Sequence, residues 1–494
     1  MTTSDGARFD TVVVGAGSAG LTVAVGLTGL GREVALVEAD AVGGDCTNVG
    51  CIPSKTLIAL ARSVAAAPLE GRTEAARAAL TETRRRRDDL RAHEEAWLGD
   101  MPRLTLVRGR ARLERDERGA CRVEVRGADG ALRRLAAKRI VLATGSTPLV
   151  PPVPGLDADD ARARAVLTNA TLFDLSDPPG HLVVLGGGAI GCEMAFAFAR
   201  LGSRVTLVEM ADRLLPVAEA AASETVRARL EALGVRVLVD TKALAFEPDA
   251  RTLAAAHAPT GQPATPIAID EVDRVLVAVG RRAASADLGL EAAGVRVDAR
   301  GSVIVDGAYR TTAANVFAVG DLVGAAHTHV ANAQGRRLVR FLTLRVPLLP
   351  EGEYPWVAFT EPEVGQVGPT LAALRRRWPD PLLAVHKVLL MNTDRGRTSG
   401  LEDGFVQLVA MRLTGRLLAA TVVAPQASEM LPLLSWAQRR RVSLWQLSRL
   451  VVAYPALSEA VRQAADAFVF ASLPRLGSEL RTYLRWRWRR GPRG

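Results

Sequence analysis

Apolar residues in this chain gather into short unbroken runs, and several of those runs end in a cluster of glycines. The first, Phe9 to Val14, leads into "GAGSAG" and then an apolar helical pattern through Leu30; "EVALVEAD" follows as a second strand. Strand, glycine turn, helix and strand make a βαβ unit. From about 54 to 98 the pattern is helical, and the charge run "RRRRDD" at 84–89 reads as a solvated helix face. Strand-like alternation resumes at "RVEV" and near "RIVLATG". The βαβ pattern then recurs in "HLVVLGGGAIGCEMAFAFARLGSRVTLVEM", with 171 residues separating Gly15 from Gly186. Two more apolar strands ending in glycine, "DEVDRVLVAVGRR" and "TTAANVFAVGDLVG", occupy 265–325. Beyond about 344, Pro, Trp and Thr enter and strands such as "GFVQLVAM" lead to helices, as in a separate α+β domain. Residues after 473 read as an appendage.

Composition narrows the class. A chain of 494 residues has room for two to four domains with ample core. Its net charge of +10 suggests a nucleic-acid partner, but the distribution argues against one: residues 473–494 hold seven Arg and one Glu, +6, leaving +4 for everything else. Four cysteines, Cys46, Cys51, Cys121 and Cys192, do not make a disulfide-rich secreted composition. The N-terminal "MTTSDGARFD" lacks the basic head and apolar run of a signal peptide. No run of 18 apolar residues occurs; the nearest approach, 182–192, is glycine-rich and ends at Glu193, so no membrane span is expected and the location reads as cytoplasmic.

The chemistry begins at the glycines. Gly15, Gly17 and Gly20 have G-x-G-x-x-G spacing, in which the first permits a tight turn, the second lets backbone approach a pyrophosphate and the third lets helix pack on strand. Glu38 ends the second strand 23 residues after Gly15, where a carboxylate accepts from ribose hydroxyls. Gly186, Gly188 and Gly191 repeat the spacing, with Glu209 again 23 residues on. Two such sites imply two dinucleotide cofactors. A carboxylate at 209 would repel a 2′-phosphate, which favours NADH over NADPH, although Arg213 lies nearby.

In "GGDCTNVGCIPSK", Cys46 and Cys51 stand with four residues between them and Lys55 follows. A zinc site needs two further ligands, and no other cysteine pair exists; no metal site is expected. A static disulfide is disfavoured in a reducing compartment. An electron-carrying pair fits best. It follows the second strand of the first βαβ unit, where a flavin bound there would extend, and Pro53 places Cys51 near a helix N-terminus that lowers a thiol pKa.

These residues resemble the active-site segment of the pyridine nucleotide-disulfide oxidoreductases, the family of glutathione reductase, dihydrolipoamide dehydrogenase and mercuric reductase. "VLATGSTP" at 141–148, with Thr144 and Gly145, is similar to the family's crossing strand beside the flavin. "VFAVGDL" is similar to its second flavin motif, with Asp321 on the ribityl chain. "PWVAFTEPEVGQVG" resembles the start of its dimerisation domain. The resemblance implies an α/β glutathione reductase fold with two Rossmann-like domains and an α+β dimerisation domain: FAD binding at 1–152 and 281–343, NAD binding at 153–280, dimerisation at 344–472, and a basic Arg/Trp tail at 473–494. It implies a homodimer and a route from NADH through FAD to the Cys46–Cys51 disulfide, with Cys51 on the flavin side and Cys46 attacking the acceptor. Lys55 and Glu193 would form an ion pair beside the rings.

One departure matters. Disulfide reductases of the family carry a His-Pro-Thr…Glu segment that protonates the leaving thiolate across the dimer interface. Here the stretch is "YPALSE": Pro455, Ser458 and Glu459 are kept, and Tyr454 stands in place of the His. A Tyr near pKa 10 is a poor base. Replacement of that base by His329 is disfavoured, because "HTHVA" reads as the start of a helix pointing at the flavin. Mercuric reductases also lack the His, but their terminal cysteine pair is absent here. The leading expectation is thus an NADH oxidoreductase passing electrons to a small thiol-reactive acceptor, mercuric reductase-like or a disulfide. Rivals are a dihydrolipoamide dehydrogenase, a membrane-associated NADH:quinone diaphorase, and a non-catalytic flavoprotein subunit. The tail, with Trp486 and Trp488 among arginines, reads either as a peripheral contact with the inner membrane face or as a disordered basic end. Cys121 and Cys192 read as ordinary buried residues.

Overall fold

The computed structural model describes residues 8–489 except 69, 118, 157–164, 326 and 346–351. Parts of the expected domain segments (1–7, 157–164, 346–351 and 490–494) lie outside the described residues. The chain divides into two compact units: 1–180 with 200–203 and 273–350, and 181–199 with 204–272 and 351–494.

In unit 1, a parallel sheet runs Leu104–Arg108, Val34–Glu38, Arg8–Val14, Leu132–Leu142 and Val316–Ala318. The strands read as near-continuous apolar runs because both sheet faces are covered. One cluster holds Val13, Leu36 and Val141 with Val23 and Leu27 of the helix Ser18–Thr28 and Leu338 of the helix Thr328–Leu344. The other face packs Val12, Val37 and Leu142 against the antiparallel strands Arg110–Arg115 and Cys121–Arg126. The crossover helix lies tight on the sheet because two glycines allow it. Gly15 has φ +102°, and a Cβ on Gly20 would collide with the Gly15 carbonyl oxygen.

The expected long helix over 54–98 is two helices, Cys51–Ala66 and Arg72–Gly99, broken at Gly71 with φ +82°. The run at 84–89 is only partly a solvated face. Arg85 and Arg86 pair with Glu82 on the exposed side, whereas Arg87 is mostly buried and bonds Asp174, and Arg84 reaches the Leu175 carbonyl. The stretch nearest to a membrane span is not 182–192, which is strand, turn and helix start. Among the described residues, Gly44–Ala66 is the one helical stretch long and apolar enough to cross a membrane by length and composition. It is the cysteine-bearing segment, and its Leu57, Ile58, Ala61 and Val64 are buried inside unit 1.

In unit 2, His181–Leu185, Arg204–Val208 and Arg236–Leu238 form a parallel sheet, followed by an antiparallel meander from Thr241 to Ile269. A five-stranded antiparallel sheet then runs Trp356–Ala358, Glu363–Val367, Leu417–Ala424, Phe405–Met411, Leu383–Leu389. The helices Ala427–Arg439 and Glu459–Ser472 bury Leu431, Leu434, Val461 and Phe468 in its core. The expected α/β class, with two βαβ units and a C-terminal α+β part, is what the chain adopts. The tail is helical from Leu476 to Arg489, so the disordered reading does not hold for that span.

Phe468 is fully buried and meets the Trp445 ring edge-on at 5.3 Å. Phe468→Ala should lower stability by about 3–5 kcal/mol; a denaturant midpoint unchanged from wild type would contradict this core assignment.

Candidate active site

In unit 1 the glycine turn aims the N-terminus of Ser18–Thr28 at the sheet's carboxyl edge, and Glu38 ends the adjacent strand. Both Glu38 oxygens accept backbone N–H bonds, from Ala16 at 2.7 Å and Asp40 at 2.8 Å. The carboxylate is therefore held in place with lone pairs remaining for a ribose. Thr144 donates to the Ala284 carbonyl at 2.8 Å, and Gly145 takes a positive φ of 75°. Asp321 accepts from the Ser146 hydroxyl at 2.7 Å, and burial pushes its carboxyl above the usual range.

The cysteine pair sits at helix starts. Cys46 lies in the short helix Gly44–Asn48, and Cys51 is the first residue of Cys51–Ala66. Cys51 Sγ is 3.3 Å from Oγ1 of Thr328, itself the first residue of Thr328–Leu344. Two long helices thus present their positive ends to one sulfur, which favours its thiolate. Cys46 is the opposite case. Its hydrogen bond to Cys51, then burial, then the charge of Cys51 push its pKa far above the ordinary thiol value, with only partial relief from Thr328 and Ser18. The two sulfurs therefore sit in unequal surroundings, with burial and the neighbouring sulfur disfavouring the Cys46 thiolate.

Sequence reasoning missed the clamp on this loop. Arg281 donates to the Asp45 carboxylate, to Ser146 Oγ at 2.8 Å, to the Ser146 carbonyl at 2.7 Å and to Asn169 Oδ1 at 3.1 Å. Asn169 in turn donates to the Val49 carbonyl at 3.2 Å, and Asn48 to the carbonyls of Val42 and Gly44. Residues 45 and 49, on either side of Cys46, are fixed to one bidentate-capable cation. The only hint in the sequence was an arginine directly after a strand-ending glycine.

In unit 2 the second glycine turn repeats the first: a Cβ on Gly191 would strike the Gly186 carbonyl oxygen, and one on Gly188 would meet nothing, leaving open space before the helix Ala189–Arg200. Glu209 is set as Glu38 is, accepting from Gly187 N–H at 2.5 Å and Ala211 N–H at 2.7 Å. Arg213 has its Nε buried without a partner, as a site for an anionic dinucleotide would leave it. Glu193 is buried and accepts from the Phe359 N–H at 2.9 Å.

Tyr454 and Glu459 each have another side-chain partner. Tyr454 is exposed and its hydroxyl donates to Asp394 at 3.0 Å, which raises its pKa. Glu459 is buried, pairs with Arg462 at 2.8 Å and leaves Oε2 without a hydrogen bond. Cys192 is fully buried as expected; Cys121 is only half-buried, its thiol 3.8 Å from the Ala293 carbonyl. Among the described residues, no three His, Cys, Asp or Glu side chains cluster as a metal site.

Two dinucleotide-type turns with fixed carboxylates, and a thiol pair at helix starts, define a dinucleotide-dependent dithiol oxidoreductase. The chain belongs to the pyridine nucleotide-disulphide oxidoreductase family, whose model matches residues 9–335, with the family's dimerisation domain matching 354–465. It is 32% identical to the mercuric reductase of Acidithiobacillus ferrooxidans over 94% of this chain and 84% of that protein. It is also 32% identical to the dihydrolipoyl dehydrogenase of Chlorobaculum tepidum over 93% and 97%. Among solved structures, the HOCl-induced flavoprotein disulfide reductase RclA of Escherichia coli matches with TM-score 0.81 and 27% identity, covering 93% of this chain and 99% of its own. The protein is therefore an FAD-dependent NAD(P)H oxidoreductase of the disulfide reductase type, and the dimerisation-domain match supports a homodimer.

The upward shift of Cys46 is directly testable. Iodoacetamide labelling of Cys46 in the reduced protein, read by peptide mass spectrometry, should keep accelerating to about pH 10, where an ordinary thiol has already levelled off. In Cys51→Ser the hydrogen bond and neighbouring charge are gone, and levelling should come at lower pH. A wild-type plateau below about pH 8 would contradict the arrangement.

Proposed function

We propose that the protein oxidises NADH and delivers the electron pair through Cys46 and Cys51 to a thiol-reactive acceptor, with a soft metal cation served better than an organic disulfide. FAD, when bound, supplies the two-electron relay between a nicotinamide and the thiol pair. Gly15, Gly17, Gly20, Glu38, Thr144, Gly145 and Asp321 would hold it, within segments 1–152 and 281–343. Gly186, Gly188, Gly191 and Glu209 would hold NADH within 153–280. Lys55 would act beside the flavin and Glu193 beside the nicotinamide, Glu193 being already oriented by the Phe359 amide. Dimerisation through 344–472 would bring in the 454–459 segment of the partner subunit.

The observation that carries this reading is the proton inventory around the outer thiol. Burial and the neighbouring Cys51 push the Cys46 thiol up, and the residue in the position of the family's acid–base His is Tyr454, bonded to Asp394. A disulfide substrate needs a base to free the attacking thiol and an acid for the leaving thiolate. A His near pKa 6.5 serves both needs at neutral pH, and a tyrosine whose pKa lies above 10 serves neither. A soft cation binds sulfur strongly enough to displace the thiol proton itself. A relative named mercuric reductase, and RclA solved as a Cu(II) complex, support that choice.

The deciding experiment is anaerobic NADH oxidation by purified protein against Hg(II) with excess thiol, lipoamide, low-molecular-weight disulfides and a quinone, for wild type, Cys46→Ser and Tyr454→His. The expected result is turnover with Hg(II) that Cys46→Ser abolishes, and lipoamide or disulfide turnover that Tyr454→His raises by about 10²-fold. Robust lipoamide turnover by wild type would overturn the weight placed on Tyr454. An undiminished rate in Cys46→Ser would move the electron exit to a quinone at the flavin, the reading favoured by a tail suited to the inner membrane face.

Nucleotide choice is a separate matter. Glu209, at the end of its strand, would accept from a free 2′-hydroxyl and repel a 2′-phosphate, while the charge of the nearby Arg213 would oppose that preference. Glu209→Ser should cost NADH about ten-fold in kcat/KM relative to NADPH; an unchanged NADH to NADPH ratio would remove Glu209 from the site.

A further inference from the structure

Unit 2 ends in the helix Leu476–Arg489, which follows Glu459–Ser472 through the turn Leu473–Arg475. One side of this helix is docked. The Trp486 ring lies 5.3 Å from Trp378, and the Arg377 guanidinium stands 5.8 Å over Trp378. The other side faces outward. Leu480, Leu484 and Trp488 recur every four residues, so they share one face, and they are 49%, 46% and 85% exposed. Leu473, 59% exposed, precedes them at the turn. Arg481 and Arg485 follow the two leucines by one position each, flank the stripe and are exposed. An exposed aliphatic and indole stripe edged by guanidinium groups is costly in water and is common where one side of a helix meets acyl chains and its edges meet phosphates.

Charge selects among the occupants. The 22 residues 473–494 carry +6, so the same stripe on a second copy would bring two strongly basic segments together and be repelled. An anionic surface is attracted instead, and apolar insertion then adds to the electrostatic pull. We infer that the Leu480, Leu484 and Trp488 face of this helix seats on an anionic lipid bilayer, with Arg481 and Arg485 on lipid phosphates. The helix, about 21 Å long at 1.5 Å per residue, lies in the headgroup plane and does not cross the membrane. This gives residues and a lipid class to the membrane contact named above and rests on that reading. It does not depend on the thiol route, which NADH oxidation in vesicle-free solution reads by itself.

The test is flotation of the full-length FAD-loaded protein with vesicles of phosphatidylglycerol and phosphatidylcholine, or of phosphatidylcholine alone, at low and high salt. Wild type is compared with Leu480→Ser/Leu484→Ser/Trp488→Ser and with Arg481→Gln/Arg485→Gln, all at exposed positions. The expected result is binding to anionic vesicles that weakens with salt and falls about ten-fold or more in each variant, while NADH oxidation in solution is unchanged. Equal flotation of wild type and the apolar variant would overturn the inference. So would failure of wild type to bind vesicles, whether sedimentation velocity then shows the stripe variant losing an oligomer (a protein occupant) or a single-stranded DNA oligonucleotide is bound instead.

Discussion

At Gly15 against Gly20, and again at Gly186 against Gly191, the helix backbone approaches the preceding turn more closely than any side chain permits. Each contact sets a helix N-terminus before the carboxyl edge of a parallel sheet, and each puts a strand-ending carboxylate, Glu38 or Glu209, within reach of the turn's own amides. The carboxylates are thus ordered by the fold itself, without a ligand. The placement of the thiol segment follows from the first of these turns. A Cβ on Gly44 would strike Gly17, and the Gly43 amide donates to Ala16 at 2.9 Å, so the cysteine-bearing loop is built directly on the glycine turn.

On that base the two sulfurs are made unequal. Cys51 receives the positive ends of two helices and the Thr328 hydroxyl, and Cys46 receives burial and a neighbouring anion. The two sulfurs therefore differ in how readily each carries charge, and the Tyr454 hydroxyl is engaged by Asp394.

The Arg281 clamp explains how a loop containing Gly43, Gly44 and Gly50 keeps the sulfurs in register. Its partners lie 236, 135 and 112 residues away in the chain, and the fork of a guanidinium satisfies a carboxylate, a hydroxyl, a carbonyl and an amide oxygen at once. A lysine would offer the charge without that geometry.

Local spacing determined much of this protein. The G-x-G-x-x-G turns, the acidic strand ends 23 residues on and the Cys46–Cys51 segment were legible because each is a short-range pattern in which backbone geometry dictates residue type. Pro53 and its helix likewise announced Cys51 at a positive helix end. Tertiary structure alone decided the surroundings of the two thiols, because these depend on burial and on Thr328, which is 277 residues from Cys51. It also decided that Arg84 and Arg87 dock inward out of a run that looks uniformly solvated, since only the fold brings Asp174 and Leu175 to them. It decided that Glu459 turns to Arg462 and Tyr454 to Asp394, and that the basic tail is a helix anchored by Trp486 on Trp378. Pattern records what the backbone requires of nearby residues; partners and proton affinities are set by contacts between residues far apart in the chain, and those exist only once it has folded.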